Sequence, residues 1–283
     1  MSETNETKKA EEIKEIKEGD VLLSVKDVSL TLGDKLVLRD LSLEMLDRKR
    51  DGAVTGQVVA LLGPSGIGKT RLLRLIAGLD QPDKGSITGH GGGPLDVARV
   101  GYVFQDYPLL EHRSVESNLL LAGKLAGMSP AAADKRVNEL VVHFRLDDRR
   151  KAYPKELSGG QRQRASIAQQ LVAPRTFLLM DEPFSGLDPA ALGDVSRLIQ
   201  QTANLDDENT VVLVTHDIRA AMIVSDTIFI LGRDRKDDAF EPGARVQRTI
   251  DLVALGLAYQ PNVEDRPEFD ALERELRAHF THL

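Results

Sequence analysis

Residues Gly63 to Thr70 read GPSGIGKT, and their types and spacing suit the holding of a polyphosphate. Gly63, Gly68, Lys69 and Thr70 fit the pattern G-x-x-x-x-G-K-[ST], with Pro64, Ser65 and Gly66 completing the turn. Glycines let backbone N–H groups approach phosphate oxygens, and a helix opening at Lys69 turns the positive end of its dipole toward them. Lys69 is then placed to reach the β and γ phosphates, and the Thr70 hydroxyl to ligate Mg²⁺. The competing reading is a glycine-rich turn that happens to contain a lysine. The flanks argue against it, because Val58 to Leu62 reads as a buried strand and Lys69 to Leu79 as a helix.

Phosphoryl transfer needs metal ligands, a group that orients the attacking water, and positive charge near the γ phosphate. Phe177-Leu178-Leu179-Met180-Asp181 is an apolar strand that delivers a carboxylate at its end, where Asp181 can hold Mg²⁺ directly or through water. The adjacent Glu182 is placed to polarise that water. Alone, Asp181-Glu182 would read as a solvated acidic turn. After an apolar strand, before Pro183, and in a chain with a phosphate loop, the catalytic reading is preferred. A second anion site is offered by Leu157-Ser158-Gly159-Gly160-Gln161, where Ser158 and the Gly159 and Gly160 amides open a helix. An ordinary capped helix is the alternative there.

The elements that must position these residues follow from periodicity. Alternating apolar positions from Leu23 to Leu43, broken at Gly33-Asp34, predict an antiparallel hairpin. Ser86 to Thr88 and Arg99 to Gln105 read as strands. Helices are expected over Ser114 to Gly127 and over Ala131 to Phe144, the latter with Ser129 as N-cap and Pro130 at its first position. Beyond them Gly160 to Val172 is helical, Phe177 to Met180 a strand, Pro189 to Ala203 a helix, Thr210 to Thr215 a strand, Asp217 to Val224 a helix and Thr227 to Leu231 a strand. Strands alternating with helices imply an α/β fold with a mostly parallel sheet covered on both faces. Beyond Gly232 the chain reads as charged and irregular until a last helix, Glu268 to Phe280, with Phe269, Leu272, Leu276 and Phe280 on one face.

Composition limits the partners. With 283 residues and 41% hydrophobic content, the chain can bury a sizeable core. It has no cysteine, which excludes disulfides and thiolate metal sites. The net charge of −7 argues against nucleic acid as the main partner, since the Arg48–Arg50 and Arg149–Lys151 runs are short and neighboured by Asp. No apolar stretch approaches the ~20 residues that span a bilayer, so work at a membrane would require docking onto another chain. Residues 1–20 hold seven acids and four lysines among few large apolar side chains and are expected to form a flexible tail.

On LSGGQ, extended to LSGGQRQR at Arg164, together with the phosphate loop and the Phe177–Glu182 stretch, the sequence resembles the ATP-binding-cassette family of ATPases. The resemblance covers Leu22 to Leu231, roughly three-quarters of the chain. It implies a P-loop NTPase core over 21–232, with an N-terminal antiparallel β subdomain, an inserted α-helical subdomain at about 106–157, and a C-terminal extension over 233–283. It implies ATP and Mg²⁺ as ligands. Gln105 resembles a family glutamine that contacts Mg²⁺ and water, Asp188 one that crosses a dimer interface, and His216 a switch histidine on the γ phosphate. Glu182, His216 and Gln105 are the expected catalytic residues, and Thr70, Gln105 and Asp181 the expected metal ligands. The implied partners are a second ATPase subunit, whose Ser158 to Gln161 would close over the first copy's ATP, a transmembrane permease docking near Tyr107 to Asn118, and a separate substrate-binding protein. The expected location is the inner face of the cell membrane. The layout and last helix resemble importers of nitrate, sulfonate or taurine type. A soluble cassette ATPase, for example in iron–sulfur assembly, and a nucleotide-binding module without turnover are the alternatives.

Three positions depart from the family pattern. Leu32 stands where an aromatic residue usually stacks on adenine, a contact worth ~1–3 kcal/mol per base. Arg71 replaces a second hydroxyl after Thr70 and is a candidate partner for an α phosphate oxygen. The loop from Leu46 to Thr55 is longer than usual.

Overall fold

The computed structural model describes residues 19–47, 56–187, 189–205, 209–237, 239–258, 260, 262–281 and 283. Most of the expected N-terminal tail, most of the 46–55 loop and Asp188 therefore lie outside the described residues.

In chain order, β1 (Val21–Leu32) and β2 (Lys35–Leu46) form a hairpin, followed by β3 (Gln57–Leu62), α1 (Lys69–Ile76), β4 (Lys84–Gly89) and β5 (Val100–Val103). Then come α2 (Val115–Leu125), α3 (Pro130–His143), α4 (Gly159–Gln170), β6 (Phe177–Asp181), α5 (Pro189–Ala203), β7 (Thr210–Thr215), α6 (Ile218–Val224) and β8 (Thr227–Gly232). The two-residue strands β9 (Arg235–Lys236) and β10 (Ala239–Phe240) precede β11 (Arg245–Asp251) and α7 (Pro267–Phe280). The hairpin and β4 make an antiparallel sheet in the order β2-β1-β4. The central sheet runs β11-β8-β3-β7-β6-β5, parallel except for β11.

Every residue of β3, β6, β7 and β8 is buried, which is why these strands read as unbroken apolar runs. Their side chains alternate between two cores. Val58, Ala60, Leu62, Leu178, Met180, Val211, Leu213, Ile228 and Ile230 face the helices α4 to α7. Val59, Leu61, Phe177, Leu179, Val212, Val214, Phe229 and Leu231 face α1 and the antiparallel sheet. The inserted helices join the first core through Val115, Leu119, Val137, Leu140 and Phe144. Buried Asn118 fixes the turn before α2, accepting from the Leu110 amide at 2.8 Å and donating to the carbonyls of Leu110, Arg113 and Ser114.

Three expectations change. The strand expected over Arg99 to Gln105 covers only Val100–Val103, so Gln105 lies in the turn beyond it. The helix after the phosphate loop ends at Ile76 rather than Leu79, because Gly78 adopts φ +69° and turns the chain out. The stretch beyond Gly232 is not irregular. β11 pairs antiparallel with β8, and β2 also touches this region, with Arg39 bridging Asp234 and Glu241. As an edge strand with only Ile250 fully buried, RVQRTID carries polar residues where a central strand would be apolar, which hides it from a hydrophobicity reading. The last helix forms as expected, with Phe269, Leu272 and Leu276 buried and Phe280 half-buried. Among the described residues no helix is long and apolar enough to cross a membrane.

Candidate functional site

Four neighbouring strands of the central sheet, β3, β7, β6 and β5, each lead at the same end into a predicted site residue. In an open parallel sheet, ligands bind outside those carboxyl ends. Here β3 runs into the phosphate loop, β6 delivers Asp181 and Glu182, β7 leads to His216 and β5 to Gln105. A cleft of 790 Å³ opens there, lined by Ser65, Gly66, Gly68, Lys69, Thr70, Arg71, Gln105, Glu182 and His216 among the predicted residues.

The loop is glycine-built for stated reasons. A Cβ on Gly63 would lie 2.6 Å from the Leu231 carbonyl oxygen, and Gly68 holds φ +112° with Val37 packed against it. Lys69 is 5% exposed, and its Nζ donates to the carbonyls of Gly63 (2.8 Å) and Pro64 (3.1 Å) while standing 3.5 Å from Glu182 Oε1. Burial lowers the Lys69 pKa, and the Glu182 and Asp181 charges oppose that shift.

Thr70 Oγ1 donates to Asp181 Oδ1 at 2.9 Å, which brings together two of the three predicted metal ligands. The third, Gln105, lines the cleft and donates through Nε2 to Ser185 Oγ at 3.2 Å. These are hard oxygen donors with one carboxylate, the kind of partial set Mg²⁺ uses when phosphates and water complete its shell. Glu182 sits at φ +47°, a left-handed conformation a non-glycine residue adopts at a cost, its amide held by the Val214 carbonyl at 3.0 Å. Its Oε2 lies 3.0 Å from His216 Nδ1. An ionised carboxylate only accepts, so Nδ1 is assigned as the nitrogen that carries the proton.

Ser158 to Gln161 do not line this cleft. They open α4 as a capping box: Ser158 Oγ accepts from the Gln161 amide (3.3 Å) and Gln161 Oε1 from the Ser158 amide (3.0 Å). Ser158, Gly159 and Gly160 are exposed, so this helix start is open to solvent. Arg71 lines the cleft and also lies 3.4 Å from Asp80. Leu32 lines the same cleft, 41% exposed, beside Lys35 and Val37.

Several residues in and around the site were not singled out from sequence. Tyr102 on β5 donates to Asp181 Oδ2 at 3.2 Å; burial, then the Asp181 charge, raises its pKa and keeps the phenol protonated. Its signal was a phenol within an apolar strand. Gln163, 3% exposed, donates to Tyr107 Oη (2.8 Å) and the Pro183 carbonyl (3.2 Å), tying α4 to the turn after Glu182. Ser185, Lys35, Val37 and Arg74 complete the cleft; Ser185 opens the Ser185–Asp188 stretch whose resemblance to the family's interface loop marks it in the sequence, whereas no sequence pattern distinguishes Lys35, Val37 and Arg74 as ligand contacts.

Residues 52–185 match the family model described as ABC transporter. The chain is 44% identical over 187 residues to the sulfate/thiosulfate import ATP-binding protein CysA of Pectobacterium atrosepticum, covering 63% of this chain and 56% of that protein. It is 37% identical over 229 residues to CysA of Pseudomonas syringae pv. tomato, covering 78% of this chain and 68% of that protein. The chain therefore spans little more than half the length of some relatives. A solved dimeric ATP-binding cassette in a post-hydrolysis state, bound to ADP and Pi, superposes with a TM-score of 0.63 at 27% identity, covering 82% of this chain and 99% of that one. The expectation of resemblance to nitrate, sulfonate or taurine importers is corrected here, since both relatives named are sulfate/thiosulfate import ATP-binding proteins. That expectation rested on the layout and last helix, which carry little cargo information.

Proposed function

This chain belongs to the ABC transporter family, and on that premise we propose that it is the ATP-hydrolysing subunit of an importer, working as a dimer with a separate permease. The observation that carries this reading is the convergence of Lys69, Thr70, Asp181, Glu182 and His216 at one end of β3, β6 and β7. Lys69 leaves the Gly63 and Pro64 carbonyls for the β and γ phosphates, and Glu182 loses its lysine contact as it does so. Glu182 then accepts a proton from water, whose oxygen bonds to the γ phosphorus as the β,γ-bridging P–O bond breaks and ADP leaves. His216 holds the Glu182 carboxylate through Nδ1 and reaches the γ phosphate with its other edge. Thr70, Asp181 and Gln105 would hold Mg²⁺, which when bound neutralises charge developing on the β and γ oxygens.

The exposed start of α4 suits a second copy's γ phosphate, with Ser158 still able to donate its hydroxyl hydrogen and the Gly159 and Gly160 amides aligned with the helix dipole. Asp188 is assigned to the same interface. Residues 21–232 form the cassette, about 106–157 its helical subdomain, and the exposed part of Tyr107 to Asn118, which includes Pro108 and Leu110 to His112, the surface that receives the permease. The subunit sits at the inner face of the membrane, where ATP is. The names of the relatives support import, with a binding protein delivering cargo on the far side; an inorganic oxyanion is the cargo class those names favour.

Glu182→Gln tests the reading. Steady-state ATP hydrolysis should fall by about 10²–10⁴, the range for a positioned general base, while ATP binds and dimers accumulate on size exclusion. Normal turnover in that variant would remove the assignment of Glu182. Affinity purification from membranes should recover a polytopic partner; a persistently soluble partner would overturn the transporter role.

A further inference from the structure

We infer that Tyr102 is a positioning residue for the metal site, acting through the Asp181 carboxylate. The inference rests on the reading of Asp181 as a Mg²⁺ ligand. Asp181 is 9% exposed, and among the described residues its carboxylate receives two hydrogen bonds, one on each oxygen. Thr70 Oγ1 supplies the first at 2.9 Å, from the loop side; Tyr102 Oη supplies the second at 3.2 Å, from the neighbouring strand. A hydroxyl has one hydrogen and two lone pairs. Thr70 can therefore ligate a cation with its oxygen while its hydrogen stays on Asp181 Oδ1. With Tyr102 on Oδ2, the plane of the carboxylate is then fixed from both ends.

The hydroxyl is held by rigid surroundings. Tyr102 is 8% exposed, lies in the middle of β5, pairs in register with Leu179 of β6, and packs its ring 4.5 Å from that of Phe104. Nothing in packing requires the oxygen, since a phenylalanine ring would fill the same space. The phenol adds a single donor, aimed at the carboxylate two residues along β6 from its register partner. Groups of this kind, which orient a ligand without touching the metal, typically change metal affinity 10- to 100-fold when removed.

The test uses the full chain carrying Glu182→Gln, so that ATP is not consumed, and Mn²⁺ as the probe, followed by electron paramagnetic resonance at saturating ATP. Adding Tyr102→Phe should weaken nucleotide-dependent Mn²⁺ binding by about tenfold, the lower end of that range. ATP affinity measured in EDTA should be unchanged. Phe104→Leu serves as a second variant, because it disturbs the ring contact and leaves the hydroxyl in place; its Mn²⁺ affinity should match that of the parent. Unchanged Mn²⁺ affinity in a folded Tyr102→Phe chain would overturn the inference, as would an equal loss in Phe104→Leu, which would make the effect one of packing. Absence of nucleotide-dependent Mn²⁺ binding in the parent would instead remove the metal-site reading on which the inference depends.

Discussion

Glu273 on α7 ties the C-terminal extension to the helix that follows His216. It is 9% exposed and accepts from Arg219 Nη1 at 2.8 Å and from Arg277 Nε and Nη2 at 2.9 and 2.6 Å. Arg219 lies in the first turn of α6, which Asp217, adjacent to His216, caps. Glu273→Gln keeps the shape and removes the charge. Each charge-assisted contact is worth ~1.5–3 kcal/mol when dry. The two guanidinium side chains are 39% and 62% exposed, so solvent screening brings each toward ~1 kcal/mol and the pair to about 2. At roughly 2–4 °C per kcal/mol for a chain of this size, the melting temperature should fall by about 4–8 °C at neutral pH. Burial alone would raise the Glu273 pKa, but hydrogen bonds from Arg277 and Arg219 hold it below the ordinary carboxylate value. A depressed folded-state pKa stabilises the fold above the unfolded pKa, and that stabilisation is lost as pH falls through the folded value. The gap between parent and variant should therefore be flat above about pH 5 and close as the pH drops below about 4. Thermal melts of both proteins across that range measure it. A gap that is absent at neutral pH, or that persists unchanged into acid, would refute the account of Glu273 as an ionised clamp.

Leu32→Tyr should tighten nucleotide binding by ~1–3 kcal/mol, or about 5- to 150-fold, if Leu32 faces the base as its place in the cleft indicates. A fluorescent-nucleotide titration reads this, and an unchanged dissociation constant would place the base elsewhere. Phe269→Ala removes a fully buried ring from α7, one that also lies under the Arg219 guanidinium at 5.3 Å. It should cost about 3–5 kcal/mol in urea unfolding; a loss below about 1 kcal/mol would mean that α7 docks weakly on the cassette.

What the sequence made legible was whatever a strong local rule enforces. The phosphate loop needs glycine at Gly63 and Gly68 for steric reasons, so its pattern is nearly deterministic. The buried strands β3, β6, β7 and β8 announce themselves as apolar runs because both faces are covered. Asp181, Glu182 and His216 are readable because Asp181 ends such a strand and the other two directly follow one. Contacts that depend on register between distant strands are not local and were missed. Tyr102 meets Asp181 only because β5 pairs with β6, and Gln163 meets Pro183 only because α4 packs beside the β6 turn. The edge strand β11 escaped because solvent satisfies one of its sides, which frees its composition to be polar. Ser158 to Gln161 are legible as a helix start, although among the described residues they do not line the cleft that holds the phosphate loop.

The order of strands in the central sheet also sets when the site can exist during synthesis. β3 sits between β7 and β8, and Gln57 pairs with Thr210 across a separation of 153 residues. At ~5–20 residues per second, that distance corresponds to about 8–30 seconds in which a strand apolar from Val58 to Leu62 has left the ribosome without either neighbour. Long-range pairing of this kind is slow and leaves hydrophobic surface open to aggregation. Among the strands of the central sheet, the one leading into the phosphate loop therefore waits longest for its neighbours and is the natural place for a chaperone to hold the nascent chain. A ribosome-bound chain stalled with β7 still in the exit tunnel should lack nucleotide binding altogether, so acquisition of ATP affinity reports near-complete folding of the cassette.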